Sequence, residues 1–154
     1  MFNLISSFIS NLIKVFILIV KGTKFVSPST VDLRGNLLVG SNVSIGRNLT
    51  VIGEVTLGNN VIIEEACTLI SCKVLNSAHI KSNTIIEGGT IGKRSFVGPF
   101  SRIRGNSIIK EDCQIGNFVE VKSSNIDSGC RINHMAFIGD TDMGKNVTVG
   151  AGVI

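Results

Sequence analysis

Aliphatic residues recur every sixth position along most of this chain, and that step constrains its fold more than any other feature. Leu33, Val39, Ile45, Val51, Leu57, Ile63 and Leu69 stand six apart; the series continues through Val74, Ile80, Ile86, Ile91, Val97, Ile103, Ile109, Ile115, Val121, Ile126, Ile132, Ile138, Met143 and Val149. A helix of 3.6 residues per turn would scatter such positions around its surface. A short strand followed by a corner keeps them together: the aliphatic residue and the one two places before it point inward, and the residue between them points outward. Four steps shorten to five, from 69 to 74, 86 to 91, 121 to 126 and 138 to 143. With three hexads to a turn, all four fall on the same side of a triangle. The expected fold is therefore all-β, a parallel β-helix of about seven coils, and its period resembles that of the left-handed kind. Glycine often follows the inward aliphatic, as at Gly40, Gly46, Gly58, Gly92 and Gly116, which suggests a corner needing a permissive backbone.

Composition agrees. At 154 residues the chain is one domain by length, 44% hydrophobic, with 17 Gly and neither Trp nor Tyr, so small and β-branched side chains must fill its interior. The net charge of +4 comes from Lys and Arg spread without a run or interleaved aromatics, which reads as a solvated surface and not a nucleic-acid face. Cys67, Cys72, Cys113 and Cys130 form no CxxC and flank no histidine, so they read as small buried or corner thiols, with no metal site expected. Two histidines are too few for a β-helix carbonic anhydrase, which needs three as metal ligands.

The first 26 residues read as a separate element, a helix and hinge preceding a β-helix over 27–154. Asn3, Ser6, Ser7, Ser10, Asn11 and Lys14 share one side of a helical wheel, and Lys21 continues it, which favours an amphipathic helix. Residues 15–20 are apolar all round, so packing on protein, lying in a membrane interface and spanning a bilayer all stay open. No positive segment precedes the apolar part and no cleavage site follows, unlike a secretory signal. KGTKFVSPS reads as the hinge.

The hexad register also places the polar residues. Ile132 points inward, so His134, two positions on, belongs to a corner and faces solvent or a partner. Asn117 follows Ile115 by the same offset and should lie beside it one coil earlier, with Ala151 on its other side. Arg104 and Lys122 each follow an inward aliphatic and should stack as like charges about 5 Å apart. They would repel unless an anion such as phosphate joined them or both splayed into solvent.

VGPFSRIRG, IGNFVEVK, NHMAFIGD and VGAG, with VDLRGNL at the start of the repeat, resemble the C-terminal domain of the bacterial bifunctional N-acetylglucosamine-1-phosphate uridyltransferase/glucosamine-1-phosphate N-acetyltransferase. The resemblance covers about residues 27 to 154 in one register. It implies a cytoplasmic homotrimer of left-handed β-helices with active sites between subunits. The implied reaction is acetylation of glucosamine 1-phosphate by acetyl-CoA, towards UDP-N-acetylglucosamine for peptidoglycan and lipopolysaccharide. By the same resemblance His134 is the general base, Arg104 and Lys122 bind phosphate and sugar, and Phe137 and Thr148 occupy substrate-binding positions. Ala151 falls where a backbone group meets the acetyl-CoA.

The sequence departs from that pattern at Asn133, where the family has Gly; at Phe137, where it has Tyr; and at Thr148, where it has Asn. It lacks the uridyltransferase domain and ends at VGAGVI in mid-repeat, before the family's Asn-Tyr pair and last coils, so these residues alone are expected to have little activity. Two alternatives stand beside this reading: a non-catalytic β-helix that trimerises or scaffolds, and an acyltransferase for another amino sugar, towards which Phe137 and Thr148 point.

Overall fold

A computed structural model describes residues 2–154, with side chains from Ile9 onward. After one helix, Phe2–Val20, every strand pairs parallel with the strand one coil away. The chain is a left-handed parallel β-helix of about seven turns, as the hexad step predicts.

Its three faces follow from the register. Face one stacks eight strands, among them Phe96–Val97, Gln114–Asn117, Arg131–His134 and Thr148–Val149. Face two contains Arg102–Arg104, Glu120–Lys122 and Phe137–Gly139; face three contains Ile108–Ile109, Asn125–Ile126 and Asp142–Met143. Leu69, Ile86, Val121 and Ile138 lie on face two and the next aliphatic after each on face three, so all four short steps turn the same corner. The inward aliphatics from Ile45 to Ile132 are essentially without solvent contact. Each contributes about 1.5–3 kcal/mol by burial, but only because neighbouring coils cover it.

The position two residues before the aliphatic is also buried, filled by Leu49 and valines in some coils and by small residues in others: Cys67, Ala78, Ser95, Ser101, Cys113, Ser124 and Cys130. Its polar atoms turn to backbone, as in Ser95 Oγ donating to the Lys110 carbonyl at 2.7 Å and Cys130 Sγ to the Gly144 carbonyl at 3.0 Å. All four cysteines are buried free thiols, as their spacing suggests.

The glycine expectation holds at Gly98, which follows the inward Val97 at φ 103°, and needs correction at the others. Gly40, Gly46, Gly58, Gly92 and Gly116 do not adopt positive φ; the left-handed position comes two residues later, at Asn42, Asn48, Asn60, Arg94 and Phe118. What excludes a side chain at these glycines is the next coil. A Cβ on Gly116 would stand 2.0 Å from the Asn133 carbonyl oxygen, and one on Gly92 2.3 Å from the Lys110 carbonyl carbon. Gly144 and Gly150, in the last coil, meet nothing within 4 Å.

At the other end the helix stops at Gly22, whose φ of 93° lets the Thr23 N–H reach the Leu18 carbonyl at 3.0 Å. Coil pairing begins at once, Lys24–Phe25 against Ser44–Ile45, inside the segment read as a hinge. The helix packs on the first coil through buried Val15 and Leu18. Asn11 donates to the Val31 carbonyl at 2.8 Å and accepts from the Leu33 N–H at 2.7 Å. The polar stripe faces protein at Asn11 and Lys14 but is exposed at Ser10 and Lys21; Asn3, Ser6 and Ser7 lie outside the described side chains. Among the described residues no helix is long and apolar enough to cross a membrane.

Candidate active site

His134 lies at the corner between faces one and two, exposed, at the end of the strand Arg131–His134. The register sets it against Asn117, one coil earlier, and Nδ1 of the ring is 2.6 Å from Asn117 Oδ1. An amide oxygen only accepts hydrogen bonds, so Nδ1 carries the proton and Nε2 presents its lone pair outward. The backbone of Phe118 and of Met135 follows at φ 57° and 38°, and both side chains are exposed. Phe118 stacks on Phe100 from the coil before, with ring centroids 5.4 Å apart and planes 17° from parallel. An apolar ridge of Phe100, Phe118 and Met135 therefore runs along the corner that carries His134. The hexad pattern does not show this ridge, because the corner position is filled by residues of every kind.

Phe137 begins face two directly after this corner, in register with Glu120 and, through it, with Arg102. Arg104 and Lys122 pair at the far end of the same face, as expected. Their charges do not stack unrelieved. Arg104 Nε is 2.5 Å from Glu120 Oε1, and Lys122 Nζ is 3.1 Å from Asp140 Oδ2. Each carboxylate comes from the next coil, so neither a bare like-charge pair nor splaying into solvent describes these residues. Arg102 completes the ladder through Glu87 at 2.8 Å. Glu120 and Asp140 escaped attention at the level of sequence, although the register already sets Glu120 beside Arg102.

Thr148 lies on face one, paired with Arg131, and Ala151 follows it at the corner one coil beyond His134; both are exposed. One chain therefore brings His134 to Asn117, and Arg104 to Lys122, but it does not aim Thr148 at the two basic residues, which occupy a different face of a convex prism. An open groove of about 280 Å³ on face one, lined by Lys81, Phe96, Gln114 and Asn133, comes within one residue of His134.

The other histidine is engaged elsewhere on face one. His79 Nε2 is 2.6 Å from Glu64 Oε1, and Glu64 Oε2 accepts from the Ser82 N–H at 3.0 Å and its hydroxyl at 2.9 Å. With the carboxylate between the serine and the imidazole, this is a structural clamp joining two coils, not a nucleophile–base pair.

A family model described as the GMPPB C-terminal domain matches residues 33–124, well over half of the chain. The chain belongs to that family. It is also 38% identical over 137 residues to the bifunctional protein GlmU of Marinobacter nauticus, a match covering 89% of this chain and 30% of GlmU. The corresponding protein of Herminiimonas arsenicoxydans is 39% identical over 133 residues, covering 86% of this chain and 29% of its own. The resemblance drawn from GPFSRIRG and GNFVEVK is borne out, and the chain spans about 30% of the length of these curated relatives. Among solved structures, a variant of perosamine N-acetyltransferase from Caulobacter crescentus, in complex with CoA and GDP-perosamine, matches with a TM-score of 0.52 at 14% identity. That match covers 82% of this chain and 53% of the other, and it is a likeness of fold.

Proposed function

We propose that this chain is an acyltransferase that moves the acetyl group of acetyl-CoA to the amine of glucosamine 1-phosphate, working as a homotrimer. The observation that carries this reading is the hydrogen bond between His134 Nδ1 and Asn117 Oδ1 on an exposed corner. It orients the ring and leaves Nε2 as a proton acceptor. The amine lone pair attacks the thioester carbonyl carbon, and Nε2 takes the proton that the nitrogen must lose. The tetrahedral oxyanion collapses, the carbon–sulfur bond breaks, and the imidazolium returns the proton to the leaving thiolate. No enzyme nucleophile takes part, so the buried cysteines need none of this chemistry.

Arg104 and Lys122 suit the phosphate. Each now pairs with a carboxylate, and a dianion would exchange for part of those contacts, the Arg fork being the better donor. A trimer is part of the proposal because a convex rod with its polar groups on two faces offers no closed site by itself; a cleft between subunits would join face two of one copy to a corner of another. Acetyl-CoA and four unpaired thiols fit a reducing, cytoplasmic setting.

Phe137 and Thr148 favour a second substrate, a nucleotide-linked amino sugar, because they remove a hydroxyl and replace an amide by a shorter side chain at positions that the resemblance assigns to substrate binding. One assay separates the two. The protein is incubated with acetyl-CoA and either amino sugar, and thiol release is followed with and without His134→Ala. Acetylation lowered by about 100-fold or more in the variant supports the base assignment. A wild-type protein extended by the family's last coils that acetylates neither class overturns the enzymatic reading and leaves the scaffold.

A further inference from the structure

The N-terminal helix turns a mixed side, polar at Asn11 and Lys14, inward and an apolar side outward. Val15 and Leu18 are buried, and Asn11 and Lys14 bond to the backbone of the first coil. On the opposite side Ile9, Ile13, Phe16 and Val20 form one stripe at helical spacing, with Ile17 and Ile19 on its flanks, all exposed; Phe16 is 65% exposed and Val20 70%. On a 3.6-residue wheel these residues span roughly 160°, wider than the stripe a helix needs to pack on one neighbour.

The charge around this face is of one sign. Lys14, Lys21 and Lys24 are the only charged residues before Asp32. Lys14 and Lys21 follow Ile17 around the wheel at one edge of the apolar arc. Both line a groove of about 140 Å³ between the helix and the first coil, together with Ile17, Leu33 and Leu37. An apolar face with the exposed Lys21 at its edge, in a segment with no acidic residue before Asp32, complements an acyl layer topped by anionic headgroups. The helix is held to the first coil through Asn11, Lys14, Val15 and Leu18, so it would lie in the interface.

We infer that the helix docks the protein on an anionic phospholipid surface, with Phe16 and Val20 at the acyl boundary and Lys21 at the phosphates. This inference stands apart from the acetyltransferase reading and needs no activity to test it. The experiment is co-sedimentation of the full chain with phosphatidylcholine vesicles, with and without about one-third phosphatidylglycerol. Phe16→Glu, Val20→Glu and Lys21→Glu are measured in parallel. Each changes an exposed side chain, and thermal melts check that folding is kept.

Binding should be about tenfold or more tighter to the anionic vesicles, weaken in high salt, and fall by about tenfold with each glutamate. Absence of binding to either vesicle overturns the inference, as does equal, salt-insensitive binding that the variants leave unchanged. Equally, self-association that Phe16→Glu dissolves, in a protein that ignores vesicles, would assign the face to a second copy of this chain.

Discussion

His134 Nδ1 and Asn117 Oδ1 lie 2.6 Å apart although 17 residues separate them in sequence, because one coil of the β-helix returns the chain to the same corner. The contact decides which ring nitrogen can accept a proton, so Asn117 is a positioning residue under the proposed mechanism. Asn117→Ala should lower kcat by about 10- to 100-fold with little change in KM, the scale seen when the group orienting a functional imidazole is lost. His134→Ala should cost at least as much and leave the melting temperature nearly unchanged, since the ring is exposed. An Asn117→Ala enzyme with unaltered kcat would show that the bond is only structural.

Arg104 should act on binding. Arg104→Ala removes a charge-assisted partner of the phosphate and is expected to raise KM for glucosamine 1-phosphate by about 10- to 100-fold, with kcat changed far less. Arg104→Lys should recover only part of the loss, because the fork geometry is gone. Initial-rate kinetics at saturating acetyl-CoA separate the two parameters.

The glycine correction makes a stability prediction. Gly116→Ala sets a methyl 2.0 Å from the Asn133 carbonyl oxygen, so backbone must shift, and a loss of about 1–3 kcal/mol is expected in denaturant titration. Gly144→Ala meets nothing within 4 Å and should be close to neutral. Equal effects at the two sites would rule out coil approach as the reason for glycine.

The Glu64 clamp predicts acid sensitivity. Burial opposes its charge, but bonds from the Ser82 N–H and hydroxyl and from His79 prevail, holding the carboxyl below its ordinary 4.5. A depressed carboxyl stabilises the fold above its unfolded pKa and loses that contribution as pH falls through the folded value. Melting temperature should therefore decline below about pH 4.5, and Glu64→Gln should be less stable at neutral pH and show a shallower acid decline.

At alkaline pH the buried thiols act with the opposite sign. Burial pushes Cys67 up to about 11 and Cys72 up to about 12, from an ordinary value of 9.0. Their contribution is complete below 9.0 and is lost as pH rises through 11 to 12. At pH 8, iodoacetamide should leave both thiols unmodified in the folded protein and label them once it is denatured.

How much of this was legible beforehand depended on range. The step of six and its four shortened repeats determined the fold, the register and the corner shared by the short steps, because each coil meets only its neighbours and the period alone aligns them. That arithmetic set Asn117 beside His134 and Arg104 beside Lys122. It did not reach properties that depend on how side chains turn and how closely coils approach. Arg104 and Lys122 look like a repelling pair until Glu120 and Asp140 swing across from the next coil. Gly116 looks like a turn residue until the Asn133 carbonyl is found where its Cβ would be. The N-terminal helix has the same amphipathic wheel whichever side faces protein. Only the first coil's unpaired backbone, which needs a polar partner and finds Asn11, turns the apolar side outward.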